Sequence, residues 1–110
     1  MAISFKPGVR LFGLQPEILW ALDQCVDVWP TDVTVTSARG DKHSRQSLHY
    51  SGNAVDLRTR NLNDEQIRAT VLKLRQVLGK RFDVLYESGN HIHIEHQPKD
   101  AHEYLTRLAA

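Results

Sequence analysis

The chain has 110 residues, a length typical of one domain, and we predict a single domain over residues 1–110. Its 14 basic and 13 acidic residues nearly cancel, so the charge predicts neither a nucleic-acid partner nor attachment to a membrane surface. The single cysteine, Cys25, rules out an internal disulfide, and no apolar run is long enough to span a membrane.

The first ten residues lack the apolar segment of a signal peptide, and their only positive charges are Lys6 and Arg10. We therefore expect synthesis in the cytoplasm without a signal peptide. We also expect the chain to be a monomer.

Two helices are predicted from apolar residues at helical spacing. The first begins at Pro16, which suits a first helical turn, and extends over about residues 16–28. The second begins near Asn63-Asp64-Glu65-Gln66, a sequence typical of a capping box, and extends over about residues 64–78. Three apolar residues ahead of the first helix are expected to pack on the body as an arm or short strand: Leu11, Phe12 and Leu14.

Runs with alternating apolar residues predict four strands, near residues 33–37, 53–59, 82–87 and 91–96. A long polar loop precedes the second strand, and a short helix is expected at 101–108. We predict an α+β fold with a small, mainly antiparallel sheet. The helices pack on one face of this sheet, and the other face carries a functional site.

The stretch Ser47–Asp56 contains residues that can bind a metal ion. His49 and Asp56 stand seven positions apart, and Gly52 and Ala54 between them allow a tight turn and leave room beside the two ligands. Asp56 lies in an apolar run that alternates as a strand does, so its side chain is expected on the polar face.

The second group of such residues lies in the predicted hairpin. A three-residue loop at 88–90 places residue 87 opposite residue 91 and residue 85 opposite residue 93. In this register His91, His93 and Glu95 share the open face, and Glu87 is directly across from His91.

Together the two groups supply imidazole, carboxylate and imidazole, a ligand set typical of catalytic zinc. Each part also has a simpler interpretation. His91 and His93 can be the polar face of a strand, and Glu87 with His91 can be a cross-strand charge pair contributing about 0.2–1 kcal/mol. Convergence of all these residues on one face favours the metal site.

The motif Ser47-x-His49-x-x-Gly52-x-Ala54-x-Asp56, followed by Glu87-x-x-x-His91-x-His93, resembles that of the zinc peptidases grouped as lysostaphin, D-alanyl-D-alanine carboxypeptidase and Sonic hedgehog. The chain is most similar to the D-alanyl-D-alanine carboxypeptidase and L-alanyl-D-glutamate endopeptidase branch, which includes small phage endolysins. The resemblance extends over about residues 33–96. It implies a hedgehog/D-Ala-D-Ala peptidase-like fold that binds Zn²⁺.

The resemblance also implies roles for individual residues. The zinc ligands would be His49, Asp56 and His93; Glu87 would be the catalytic base, and His91 would stabilise the oxyanion. Ser47 would support the site by hydrogen bonding. Arg39 would contact the substrate, with Arg45 as the competing candidate, and Arg39 could also help to stabilise the oxyanion. Arg39, Arg45 and Arg58 could each bind a free carboxylate of a stem peptide bidentately.

The leading hypothesis is a zinc metallopeptidase that hydrolyses peptidoglycan stem peptides, as a D-Ala-D-Ala carboxypeptidase or an L-Ala-D-Glu endopeptidase. Such an enzyme would reach the cell wall through holin release or delivery with a virion. The alternative is a non-catalytic zinc-binding structural or binding module, for example a phage virion component that retains the peptidase fold. A nucleic-acid-binding role is disfavoured by the near-zero net charge.

Overall fold

The computed structural model describes residues 2–38 and 52–97. Within these ranges the elements are, in chain order, β1 Ile3–Phe5, α1 Pro16–Val28, β2 Val33–Ser37, β3 Ala54–Arg58, α2 Asp64–Leu78, β4 Phe82–Glu87 and β5 His91–His96. The predicted α+β class and the mainly antiparallel sheet are confirmed. The predicted helix at 101–108 lies outside the described residues.

Both helices begin and end where the sequence predicts. Pro16 occupies the first turn of α1. In α2, the backbone N–H of Gln66 donates to the Asn63 side chain at 2.8 Å, and the N–H of Asn63 donates to the Gln66 side chain at 3.0 Å, which forms the predicted capping box. Neither α1 nor α2 is long and apolar enough to cross a membrane, and no other helix is found among the described residues.

The strand order β1-β2-β3-β5-β4 places β5 between β3 and β4. β5 is antiparallel to both neighbours. β3 and β4 follow one another in the chain, joined through α2, but they are not neighbours in the sheet. β5, the second strand of the final hairpin, lies between them. Residues of β5 therefore have one neighbour from β3 and another from β4.

The core lies between the sheet and the helices. Val55 and Leu57 of β3 and Ile92 and Ile94 of β5 are fully buried, as the alternation predicts. Helix residues buried against the sheet side include Ile18, Leu22, Cys25, Ile67 and Leu74. Each buried large aliphatic side chain contributes about 1.5–3 kcal/mol, and this burial fixes which face of β3 and β5 stays open.

The region before α1 differs from the prediction. Strand β1 was not predicted; it pairs in parallel with β2, with Ile3 opposite Val33. Three residues are too few to show an alternating pattern, so only the partner strand defines β1 as a strand. Leu14 is buried as expected, but the predicted packing of Phe12 is wrong, because its side chain is 92% exposed.

Gly52 has a packing role that its motif did not reveal. Its φ of +77° lies in the left-handed region, which glycine adopts without a steric penalty. A Cβ at this position would lie 2.2 Å from the carbonyl oxygen of Gly13. The N–H of Gln15 also donates to the Gly52 carbonyl at 3.0 Å. The start of β3 is thus held against the segment that leads into α1.

Candidate metal centre

Three neighbouring strands bring the polar residues of the open face together. In the sheet register, Asp56 of β3 is opposite His93 of β5, and Glu87 of β4 is opposite His91 of β5. The predicted hairpin register is therefore confirmed. Because β5 lies between β3 and β4, its two open-face histidines, His91 and His93, are flanked by one carboxylate from each side.

Asp56, Glu87 and His93 each offer a ligand atom, and these atoms lie within 4.8 Å of one another. The shortest contact joins His93 Nδ1 to Asp56 Oδ1 at 2.8 Å. Glu87 Oε1 lies 3.7 Å from the same nitrogen. Two carboxylates therefore face a single nitrogen atom of His93.

The other ring nitrogen of His93 faces a third carboxylate. His93 Nε2 donates to Glu95 Oε1 at 2.9 Å. Glu95 is held in turn by the side-chain amide of Gln97, which also donates to Asp83 Oδ2 at 3.0 Å. A histidine whose outer nitrogen is hydrogen-bonded to a carboxylate is a common support for a metal ligand, because the bond fixes the ring orientation and the tautomer.

These contacts determine the protonation of His93 in the metal-free protein. Burial lowers the pKa of His93, but hydrogen bonds to Asp56 and Glu95 and the charges of Asp56 and Glu87 outweigh burial and raise the pKa to about 9. A carboxylate only accepts hydrogen bonds, so both ring nitrogens carry a proton at neutral pH. Metal binding requires the loss of the Nδ1 proton, since a metal binds neutral imidazole.

His91 is oriented by its neighbour in the turn. Its Nδ1 donates to Asn90 Oδ1 at 2.5 Å. As a result Nε2 faces the cluster, 3.4 Å from Glu87 Oε1 and 3.7 Å from Asp56 Oδ1. His91 thus borders the ligand atoms and is placed to interact with a group bound among them.

The exposure of the cluster is uneven. The side chains of Asp56 and His93 keep only 13% and 12% of their surface exposed, whereas Glu87 keeps 44%. The two more buried groups are those in closest contact. Glu87, from the neighbouring strand β4, is the group that solvent reaches most easily.

Of the residues singled out from the sequence, the structure brings together Asp56, Glu87, His91 and His93. The others lie outside the described residues: Arg39, Arg45, Ser47 and His49. Sequence reasoning placed Glu95 on the open face but gave it no part in the site. The signal was its position two residues after His93, which puts both side chains on one face of β5.

The donor set fits zinc. Zinc takes imidazole nitrogen and carboxylate oxygen at about 2.0–2.2 Å, and these are the atoms that converge here. Asp56 and His93 would hold the ion, with Glu87 beside it and Glu95 behind His93. A carboxylate–imidazole cluster on the sheet face opposite two helices defines the chain as a candidate metal-binding domain.

A family model described as Peptidase M15 matches residues 4–95. The match extends over well more than half of the chain, and the chain therefore belongs to the peptidase M15 family. This confirms, at the level of the family, the resemblance found in the sequence motifs. Membership supports a zinc peptidase acting on peptidoglycan as the general activity. No curated protein matches the chain closely enough for comparison.

Proposed function

We propose that the protein is a zinc-dependent peptidase that hydrolyses stem peptides of bacterial peptidoglycan. The observation that carries this proposal is the approach of Asp56 and Glu87 to one nitrogen of His93, at 2.8 and 3.7 Å. Family membership supports the same chemistry. The bond cleaved is that of a D-Ala-D-Ala carboxypeptidase or of an L-Ala-D-Glu endopeptidase.

In this proposal the zinc ligands are His49, Asp56 and His93. A zinc ion held there would act as a Lewis acid and would lower the pKa of a water molecule at the site to about 7. The contact between His93 Nε2 and Glu95 leaves Nδ1 as the atom directed to the ion. Three protein ligands leave room for water and substrate, which a catalytic site needs.

Glu87 is the proposed general base. Its carboxylate is near the ligand atoms yet 44% exposed, so it can accept a proton at the site and pass it to the departing amine. His91 is the proposed oxyanion stabiliser, since its Nε2 faces the cluster while Asn90 holds its Nδ1.

Three loop residues complete the proposal: Arg39 or Arg45 to contact the substrate, and Ser47 to support the ligands by hydrogen bonding. The partner is a peptidoglycan stem peptide, with no nucleic acid or membrane partner, and the protein acts as a monomer. We propose delivery to the cell wall through holin release or with a virion.

The second candidate is a zinc-binding structural or binding module without turnover. The short contact between Asp56 and His93 favours it as much as it favours catalysis, because a structural ion would use the same two residues. The two candidates differ at Glu87, which a structural site does not require as a base.

The deciding experiment compares the wild type with Glu87→Gln. We expect the wild type to hold one zinc ion per chain and to release peptides from purified peptidoglycan. Glu87→Gln should keep the zinc and lose about 10²–10⁴-fold in turnover, the usual contribution of a general base. Zinc content is measured by elemental analysis and turnover by chromatography of the released peptides.

A matched control is Glu65→Gln, which removes an exposed carboxylate from the first turn of α2 and should leave turnover unchanged. Loss of zinc in Glu87→Gln would show that Glu87 is a ligand instead of the base. A wild type that holds zinc but releases no peptide would rule out the peptidase proposal and favour the structural module.

A further inference from the structure

A second open site lies on the same sheet face as the metal centre. It is a pocket of about 400 Å³, lined by Lys6, Thr36, Arg58, Arg60, Ser88, Asn90 and His91. We call it the cationic pocket. Three of its lining residues are basic and none is acidic.

The cations of this pocket are not neutralised within the described part of the chain. No ion pair joins Lys6, Arg58 or Arg60 to a carboxylate there, although the whole chain is nearly balanced in charge. The remaining lining side chains carry hydroxyl, amide or imidazole groups that can donate hydrogen bonds. The pocket therefore presents donors and positive charge, which together suit an anionic oxygen ligand.

The sheet register connects the cationic pocket to the metal centre. Arg58 is directly opposite His91, and both belong to the pocket, while His91 Nε2 also faces Asp56. Arg58 and Asp56 are two positions apart on one face of β3, which corresponds to about 6.5–7 Å. An extended peptide covers the same distance in about two residues.

We propose that the cationic pocket binds a carboxylate of the peptide substrate about two residues from the bond that is cleaved. This inference rests on the proposed peptidase function, and it names a determinant of substrate choice. Arg58 and Arg60 bind the carboxylate through paired N–H donors, and Lys6 adds charge from the end of β1. The pocket then sets the register of the substrate, with His91 at the border between binding and reaction.

The test measures binding separately from turnover. Zinc-loaded Glu87→Gln is titrated with a stem tetrapeptide that has free carboxyl groups and with the same peptide fully amidated, and the dissociation constants are measured by NMR. We expect the free acid to bind about tenfold more tightly than the amide, the size expected for charge-assisted hydrogen bonds. The amide resonances of Ser88 and Asn90 should shift with the free acid.

The double variant Arg58→Ala/Arg60→Ala is made in the Glu87→Gln protein. It should bind the free-acid and the amidated peptide with nearly equal dissociation constants, so that their ratio is close to one. Arg60→Ala alone, at an exposed position, should lower the ratio partway without risk to folding. The matched control is Arg68→Ala, which removes an exposed arginine from α2 and should leave the ratio unchanged.

A ratio that persists in the double variant, or no preference for the free acid in the parent protein, would overturn the inference. Inorganic phosphate provides a further arm: if it displaces the free-acid peptide at equal or lower concentration, the pocket is a general anion site and the carboxylate assignment fails. Failure of the peptidase function would appear differently, as absence of peptide release by the wild type with the binding preference intact.

Discussion

The open face of the sheet has two ends of opposite charge. One end holds the carboxylates of Asp56, Glu87 and Glu95 around His93. The other end, the cationic pocket, holds Lys6, Arg58 and Arg60. His91 contacts the first end and lines the second.

The two ends are built differently, and the difference shows what each is suited to do. In the carboxylate end, the partners of His93 are fixed at 2.8 and 2.9 Å and the imidazole is 12% exposed, which suits an ion that requires defined geometry. In the cationic pocket, Lys6 and Arg60 are exposed and lack a carboxylate partner among the described residues. Such a site suits a ligand that arrives from solvent.

The largest expected effect comes from removing the charge of Asp56. Asp56→Asn keeps the size of the side chain but replaces a metal-binding carboxylate with an amide, so zinc affinity should fall by more than about 100-fold, beyond the loss typical of a supporting residue. Peptide release should fall to background. Zinc affinity is measured by competition with a chromophoric chelator.

The control for Asp56→Asn is Asp64→Asn in the first turn of α2, which should bind zinc like the wild type. Circular dichroism establishes that both variants are folded. If Asp56→Asn bound zinc with unchanged affinity, the carboxylate end would not be a metal site, and the contrast between the two ends would lose its basis.

A smaller effect is expected for Glu95, which acts through His93 and does not reach the ligand atoms. Glu95→Ala removes the acceptor of His93 Nε2, so the ring can turn and its tautomer is no longer fixed. Zinc affinity should fall by about 10–100-fold. Glu95→Gln retains an acceptor oxygen and should recover part of that loss.

The nitrogen-15 shifts of His93 distinguish this role from a general structural effect. In the zinc-loaded wild type, these shifts should show a proton on Nε2 of His93. In Glu95→Ala the shifts should show a smaller fraction of this tautomer, while the shifts of His96, on the same strand, stay unchanged. Equal zinc affinity in wild type and Glu95→Ala would show that the contact with His93 does not support the metal centre.

Most of the fold could be predicted from local patterns. Pro16, the capping box at Asn63 and the alternation of β4 and β5 each act within a few residues, so α1, α2 and the hairpin register are correct as predicted. Strand β1 and the contact of Gly52 with Gly13 depend on distant partners, which the sequence pattern does not identify.

The candidate site also has one part that the sequence pattern predicts and another that it does not. Asp56, Glu87, His91 and His93 could be found because alternation assigns each to the open face, and the hairpin fixes two of them against each other. The cationic pocket could not be predicted as a unit, because Lys6 and Arg60 come from segments whose closeness depends on the strand order.

The last expected effect is on stability instead of zinc affinity, and it is a pH dependence that reports on the carboxylate end alone. In the metal-free protein His93 faces Asp56 from β3, Glu87 from β4 and Glu95 from β5, and His91 Nε2 lies 3.7 Å from the same Asp56 oxygen. Its pKa is about 9 in the folded state, compared with an ordinary value of 6.5. The folded state therefore holds this proton more tightly than the unfolded state does.

The sign of the effect follows from that difference. The stabilisation is fully present below pH 6.5 and is lost as the pH rises through about 9. The free energy of unfolding of the metal-free protein should therefore decrease across this range, by no more than about 1.4 kcal/mol per pH unit, since one proton is involved. Denaturant titrations in the presence of a chelator measure it. His93→Gln should lack this component, and a wild-type profile as flat as that of His93→Gln would contradict the charged, doubly hydrogen-bonded state of His93.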